Sequence, residues 1–91
     1  MLKLVWRANA LEQLDAIAEF IGENNPAAAD RLVGMFEQTA EQLTQFPFMH
    51  RVGRAYGIRE AVVHPNYILI YRVGADMIEI IAVLHTRQQY P

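Results

Sequence analysis

The side chains best suited to chemistry lie in the second half of this sequence. Arg59 and Arg72 stand near the two ends of an apolar hairpin, GIREAVVHPNYILIYRV, and a polar, aromatic tail, HTRQQYP, follows the last apolar run. Guanidinium groups are permanent positive charges that suit an acidic partner. The chain has no cysteine, and its three histidines lack the spacing of metal ligands. We therefore expect no metal and no cofactor, and we assign a recognition role to the arginines.

The two halves of the chain differ in charge, although the net charge is −2. Residues 1–50 carry three basic side chains against seven acidic ones, whereas residues 51–91 carry five arginines against three acids. One interpretation is ordinary surface charge that keeps the protein soluble. The other interpretation is that the second half forms a surface for an acidic partner.

Length and composition bound the class of protein. Ninety-one residues, of which 53% are hydrophobic, predict one domain, residues 1–91, with enough apolar side chains for a core. The N-terminus has no signal-peptide pattern, and no apolar run approaches the roughly 20 residues of a membrane span. The absence of cysteine fits a reducing compartment. We expect a soluble, cytoplasmic chain without a membrane contact.

A strand and two helices are predicted in the first half. Residues 2–6, LKLVW, have the composition of a short strand. Apolar residues then repeat at helical spacing over about residues 9–22, with Asn9 as the predicted cap. Asn25 is expected to cap a second helix whose first turn contains Pro26 and which runs until a Phe-Pro pair. The short loop between the helices predicts an antiparallel helical hairpin.

From residue 51 the apolar period changes to two, which predicts strands. These strands cover residues 57–64, 67–73 and 77–85, with turns at Pro65-Asn66 and Gly74-Ala75-Asp76. The segment 48–56 is expected to be a loop, or a loop with a short strand. The element order β-α-α-β-β-β predicts an α+β fold in which the helical hairpin packs on one face of a small antiparallel sheet.

The predicted turns bring the arginines and several apolar residues to one face. A two-residue turn at Pro65-Asn66 sets Arg59 opposite Arg72, and the following turn sets Glu79 opposite Arg72. Beside this row lies a predicted apolar patch of Val63, Ile68, Ile70, Ile81 and Val83. Two helices cover only one face, and an uncovered apolar face is a binding surface. Alternatively, Arg59 and Arg72 lie at the rim of a buried face with their stems packed.

The sequence resembles the RelE/ParE superfamily of toxins from type II toxin–antitoxin systems, and in particular its ParE branch. The likeness covers essentially the whole chain and rests on W-x-x-x-A after the first strand, the helical hairpin, REAVVHPNYILIYRV and the His-to-Pro tail. It implies a ParD-like or similar antitoxin whose disordered C-terminal segment folds across the toxin in a hetero-oligomer. Under this implication, the apolar patch would be the antitoxin-binding surface.

The resemblance implies two alternative targets. ParE members inhibit DNA gyrase and are not nucleases, whereas RelE members cleave mRNA on the ribosome. In the RelE pattern a catalytic arginine follows the tyrosine of strand 67–73, where this chain has Ile68, and the RelE lysines are missing because Lys3 is the only lysine. The resemblance therefore favours a non-enzymatic gyrase inhibitor, with these target-binding residues: Arg59, Arg72, His85, Arg87 and Tyr90.

Cleavage of mRNA stays open as an alternative hypothesis. Some relatives cut RNA with a terminal His–Tyr pair and a Glu–Arg pair, and the tail of this chain offers His85, Arg87 and Tyr90 for such chemistry. A third hypothesis is an inactive toxin that is retained as an antitoxin-binding module.

Overall fold

The structure is a computed structural model that describes residues 2–53 and 55–88. Within these residues the elements are β1 (Lys3–Trp6), α1 (Ala8–Gly22), α2 (Pro26–Leu43), β2 (Arg51–Val52), β3 (Arg59–His64), β4 (Tyr67–Val73) and β5 (Met77–His85). Every predicted helix and strand is present, and β2 lies in the segment expected to be a loop with or without a strand. The periodicity of the apolar residues was therefore sufficient to place the elements.

The α+β fold class is confirmed, with both helices on one face of a sheet whose strand order is β1-β5-β4-β3-β2. The sheet is mixed rather than purely antiparallel, because β1 pairs in parallel with β5. A parallel pair requires a connection that crosses over the sheet. The chain makes this crossing through α1 and α2, which lead from β1 to the opposite edge strand, β2. It then returns strand by strand through β3 and β4 to β5, beside β1.

The main core lies between the helices and the sheet. Its fully buried large side chains are Phe36, Leu43, Leu69, Tyr71, Ile78, Ile80 and Val83. Burying an apolar side chain of this size contributes about 1.5–3 kcal/mol. This face of the sheet is therefore occupied by the protein's own helices and is closed to a partner.

The two helices begin differently. Asn25 caps α2 as predicted, because its Oδ1 accepts a hydrogen bond from the Ala28 N–H at 3.0 Å, and Pro26 is in the first turn. The predicted Asn9 cap is wrong, since α1 begins at Ala8 after an extended Arg7 that provides no side-chain cap. Asn9 is therefore already inside the helix, and its side chain bonds elsewhere.

Asn25→Ala is expected to destabilise the protein by about 1 kcal/mol, the usual cost of losing a helix cap. Chemical denaturation followed by circular dichroism measures this difference. Asn24→Ala is the matched control, because Asn24 is also exposed but lies one residue before the cap. Equal free energies of unfolding for the two variants would contradict a capping role for Asn25.

A β-bulge in β3 corrects the predicted arginine row. The turn is as expected, with His64 opposite Tyr67, but the register shifts between Val62 and His64, so that Arg59 lies opposite Tyr71 instead of Arg72. A bulge inserts one unpaired residue and reverses which side chains share a face across the two strands. Arg59 and Val63 are therefore on the helix side of the sheet, away from Arg72.

A second bulge corrects the apolar patch. Ile70 pairs with Ala82 and Tyr71 pairs with Ile80, so Ile81 is the extra residue of β5. The shift turns Val83 into the core under the helices, where Val63 also packs. Of the predicted patch, only Ile68, Ile70 and Ile81 lie on the face of the sheet away from α1 and α2. We call this the open face.

Neither helix of the described residues is long and apolar enough to cross a membrane.

Candidate functional site

The open face carries a second, smaller apolar cluster. Its members are Ile58, Ile68, Ile70, Ile81, Ala82 and Leu84. No described helix packs on it, yet Ile68 and Ile70 are only 1% and 2% exposed. The open face is therefore a narrow apolar strip, smaller than the surface that the sequence predicted.

Two arginines share one carboxylate beside this strip. The predicted pair is confirmed, since Arg72 lies opposite Glu79 and its Nη2 donates to Glu79 Oε1 at 2.9 Å. Sequence reasoning missed Arg7, whose Nε donates to Glu79 Oε2 at 2.8 Å from the end of β1. The two hydrogen bonds, that from Arg7 first, lower the pKa of Glu79 below its ordinary value of 4.5. The group carries a net charge of +1.

Glu79→Gln is expected to lower the unfolding temperature at neutral pH and to make no difference in strong acid. Because the folded pKa is depressed, the carboxylate contributes its full stabilisation above about pH 4.5 and loses it as the pH falls through the folded value. Thermal unfolding across this range measures the effect, with Glu12→Gln on the exposed face of α1 as control. A difference in unfolding temperature between wild type and Glu79→Gln that stayed constant with pH would contradict the ion-pair assignment.

A groove of about 450 Å³ runs along the open face. Its apolar walls come from the cluster described above, and its polar lining consists of Arg7, Asn9, Gln13 and Arg72. Arg7 and Arg72 each donate to Glu79, and a guanidinium has five N–H donors, so each side chain has more donors than these bonds use. The groove thus combines an apolar floor with cationic and amide groups, which suits an acidic peptide with apolar side chains.

Arg59, on the other side of the sheet, anchors the loop after α2. Its Nη1 donates to the His50 carbonyl at 2.8 Å, and its guanidinium carbon lies 4.9 Å from the centre of the Phe48 ring. Tyr71 holds the same loop, because its hydroxyl donates to the Pro47 carbonyl at 2.8 Å. These contacts match the alternative interpretation, in which Arg59 rims a buried face with its stem packed.

Two ionisable groups in this loop region are held neutral. Burial raises the pKa of Tyr71 above its ordinary value of 10.0, and this exceeds the opposing effect of the Arg59 charge. Burial lowers the pKa of His50 below 6.5. At neutral pH the phenol therefore keeps its proton and the imidazole lacks its second one. The Tyr71 hydroxyl acts here through its hydrogen bond, and the His50 ring acts through edge-on packing against the Tyr71 ring.

The tail begins with an ordered turn. His85 Nδ1 accepts from the Arg87 N–H at 3.1 Å, and the His85 N–H donates to Gln88 Oε1 at 2.6 Å. The imidazole packs edge-on against Tyr67, with ring centroids 5.4 Å apart. Because Nδ1 is occupied, Nε2 is the nitrogen that can meet a target. Tyr90 lies outside the described residues.

The predicted target-binding residues do not form one site. Arg72 is at the Glu79 end of β5, whereas His85 and Arg87 are at the other end. The six residue-to-residue steps from Glu79 to His85 span about 20 Å in an extended strand. Arg59 belongs to the opposite face. The tail and the region around Arg72 are therefore two separate positively charged surfaces.

An exposed apolar segment escaped prediction. Phe46, Phe48, Met49, Val52 and Tyr56 all present more than half of their surface to solvent. Monomeric proteins rarely cluster so many large apolar side chains on the surface without a partner. The available signal was a set of aromatic residues in a loop with neither helical nor strand periodicity. No group of three metal-ligating side chains forms among residues 2–53 and 55–88.

The fold of this chain is shared with solved structures of other small proteins. A chain of the chromosomal ParDE system from P. aeruginosa superposes with a TM-score of 0.81, covering 93% of this chain and 96% of that one at 21% identity. The YoeB dimer from Staphylococcus aureus shows the same fold with a TM-score of 0.65, 12% identity and 98% coverage of both chains.

Sequence comparison gives the family. Residues 4–90 match the model of the ParE toxin of the type II toxin–antitoxin system parDE. The chain is 36% identical to the Y4kP protein of Sinorhizobium fredii, covering 98% of this chain and 93% of that protein. It is 34% identical to toxin RelE2 of Caulobacter vibrioides, covering 93% and 96%. The chain belongs to the ParE toxin family and is a type II toxin of the ParE/RelE superfamily.

Proposed function

We propose that this toxin inhibits DNA gyrase by trapping the enzyme on cleaved DNA, and that binding of a cognate antitoxin keeps it inactive. The family match supports this target, since the resemblance implies gyrase inhibition for the ParE branch. In this role the toxin has no catalytic residues of its own. It acts by contact, and its cationic tail meets the target.

The environment of Ile68 is the main observation that supports gyrase inhibition over RNA cleavage. The RelE pattern places a catalytic arginine at this position, but here an isoleucine is 1% exposed in the apolar cluster of the open face. The only lysine, Lys3, is in the edge strand β1, two strands away from β4. Stabilising the crowded phosphorane of RNA cleavage requires positive charge close to the scissile phosphate. The strand β4 offers no such charge at residue 68.

A second candidate function is ribosome-dependent cleavage of mRNA, which the tail geometry favours. His85 and Arg87 are joined by a hydrogen bond that leaves Nε2 of the imidazole for proton transfer. Arg87 could stabilise phosphate charge, and Tyr90 would complete the set named by the resemblance. This candidate uses the tail as a catalytic group and needs no arginine at residue 68.

Two assays separate the candidates. Relaxed plasmid is incubated with purified gyrase, ATP and increasing toxin, and we expect loss of supercoiling. Primer extension on messages from induced cells reports the alternative, because cuts within translated codons would identify mRNA cleavage. Supercoiling that is unaffected by a large excess of folded toxin would overturn the gyrase proposal.

We assign the antitoxin to the open face. Of the residues predicted to bind it, Ile68, Ile70 and Ile81 lie on this face. The apolar groove and its cationic rim support this assignment. Val63 and Val83 are no longer part of it, since both pack in the core under the helices. Arg72 borders this groove and is therefore better placed to contact the antitoxin than to join the tail.

A further inference from the structure

The loop between β2 and β3 forms one wall of a cleft that is separate from the groove of the open face. The cleft has a volume of about 430 Å³, within the range of about 300–1,000 Å³ that is typical of small-molecule sites. Phe48, Tyr56 and Arg59 line it, together with small and aliphatic residues of the loop, β2 and β4. Among the lining residues that the structure describes, Arg59 is the only charged one. The cleft therefore combines two aromatic rings with one guanidinium group.

Both aromatic rings are accessible to a ligand. Tyr56 is fully exposed, and Phe48 is 64% exposed although the guanidinium carbon of Arg59 lies 4.9 Å from the centre of its ring. Neither ring belongs to the core between the helices and the sheet. Exposed rings beside a positive charge are the platforms on which the bases of single-stranded nucleic acids stack.

Two glycines fix the shape of the loop that carries Tyr56. A Cβ atom at Gly53 would lie 2.9 Å from Ile58 Cγ1 and 3.0 Å from the Ile58 carbonyl oxygen, to which the Gly53 N–H donates at 2.8 Å. Gly57 has a φ of 81°, a left-handed conformation that favours glycine. The backbone is thus constrained on both sides of Tyr56, so the wall of the cleft is formed before a ligand binds.

The charge around the cleft favours an anionic ligand. Residues 46–60 contain three arginines and one acidic residue, Glu60, which gives this segment a net charge of +2. Glu60 is only 3% exposed and forms an ion pair with Arg51 at 2.9 Å. Arg59 donates through Nη1 to the His50 carbonyl, and a guanidinium has five N–H donors, so it has more donors than this bond uses. Phosphate is an anion that such a group binds well.

The cleft and the tail lie at opposite ends of β4. Val73, the last residue of β4, lines the cleft, whereas Tyr67, the first, packs against His85 where the tail begins. The six residue-to-residue steps from Tyr67 to Val73 span about 20 Å in an extended strand. A toxin whose tail meets gyrase therefore has a distant second surface that is free to meet the DNA held by the enzyme.

We propose that the cleft binds an unpaired nucleotide of DNA, with its base stacked on the exposed rings of Tyr56 and Phe48 and its phosphate beside Arg59. This inference rests on the proposed inhibition of gyrase, because the cleaved DNA of that complex supplies the nucleotide. A base leaves its stack most easily where the DNA is damaged or already single-stranded. The cleft then holds a strand next to the break, while the tail contacts the enzyme.

The test measures binding of purified toxin, without gyrase, to a fluorescein-labelled oligodeoxythymidine strand by fluorescence anisotropy. Tyr56→Ala is expected to weaken binding about ten-fold, a typical cost of losing one base–aromatic stack. Tyr56→Phe keeps the ring and should bind like wild type. Phe20→Ala, which removes an exposed phenylalanine of α1, is the matched control and should also bind like wild type. Because Tyr56 is fully exposed, all three variants should keep the unfolding temperature of wild type.

Three further ligands identify the source of the nucleotide. A blunt DNA duplex, whose bases are paired, and free thymidine monophosphate should each bind about ten-fold more weakly than the strand. A duplex or a monophosphate that bound as tightly as the strand would overturn the assignment to an unpaired nucleotide of DNA. An oligouridine strand that bound more tightly than the DNA strand would overturn it in favour of RNA. Absence of strand binding at low salt, or Tyr56→Ala that bound like wild type, would overturn the nucleotide site itself.

Failure of this inference and failure of the proposed function give different results. Toxin that inhibits gyrase but does not bind the strand would overturn the nucleotide site and leave gyrase inhibition standing. Toxin that binds the strand, with the expected loss in Tyr56→Ala, but leaves supercoiling unaffected would overturn gyrase inhibition and leave the nucleotide site standing.

Discussion

Phe36→Ala is expected to destabilise the toxin by about 3–5 kcal/mol, the usual cost of truncating a fully buried aromatic side chain. The Phe36 ring has no exposed surface and meets Tyr67 edge-on at 6.4 Å, so its truncation leaves a cavity between α2 and the sheet. A small domain has only about 5–15 kcal/mol of net stability. The variant should therefore be largely unfolded at growth temperature and should not arrest growth.

Phe20→Ala is the matched control for this prediction. The same side chain is 71% exposed on α1, and surface substitutions usually change stability by less than about 0.5 kcal/mol. Urea denaturation of both variants, followed by tryptophan fluorescence and circular dichroism, gives the two free energies. Similar losses for Phe36→Ala and Phe20→Ala would mean that the core does not lie between α2 and the sheet.

Arg87→Ala is expected to reduce gyrase inhibition about ten-fold or more. A hydrogen bond to a charged group contributes about 1.5–3 kcal/mol, and about 1.4 kcal/mol corresponds to a factor of ten in affinity. The substitution leaves the turn intact, because His85 Nδ1 bonds to the backbone N–H of residue 87 and not to its side chain. The readout is the toxin concentration that halves the rate of supercoiling.

Arg31→Ala controls for the loss of a positive charge. Arg31 is an exposed arginine of α2, outside the tail, and its removal should leave inhibition unchanged. Unfolding temperatures of both variants should stay close to that of wild type, which separates a lost contact from a lost fold. If Arg87→Ala inhibited gyrase as well as Arg31→Ala, the tail would not be the target contact.

The helices and strands could be predicted because each is encoded by the periodicity of neighbouring residues. The Arg72–Glu79 pair was also predictable, since a short turn fixes its register locally. The two bulges could not be predicted. AVVH and IIAV contain no glycine or proline that would mark an extra residue, and apolar side chains on both faces fit either register. One inserted residue in each strand was enough to move Arg59 of β3 and Val83 of β5 to the face opposite Arg72.

Contacts between distant residues were also beyond sequence reasoning. Arg7 and Glu79 are 72 positions apart, as are Asn9 and Ile81, and both pairs depend on where α1 crosses β5. Asn9 looked like a helix cap because its local sequence fits that role. In the folded protein its side chain instead bonds to the Ile81 carbonyl at the edge of the sheet, beside the polar lining of the groove.

The central claim, that this protein poisons gyrase, is tested most directly by gel analysis of gyrase reactions. The reactions are stopped with detergent and protease before the gel is run. Detergent releases DNA ends that a trapped enzyme has cleaved, so supercoiled plasmid with gyrase, ATP and toxin should yield linear DNA in proportion to the toxin. The cognate antitoxin, added first, should abolish the linear product. Plasmid that stays intact at a large excess of folded, antitoxin-binding toxin would contradict the claim that this protein poisons gyrase.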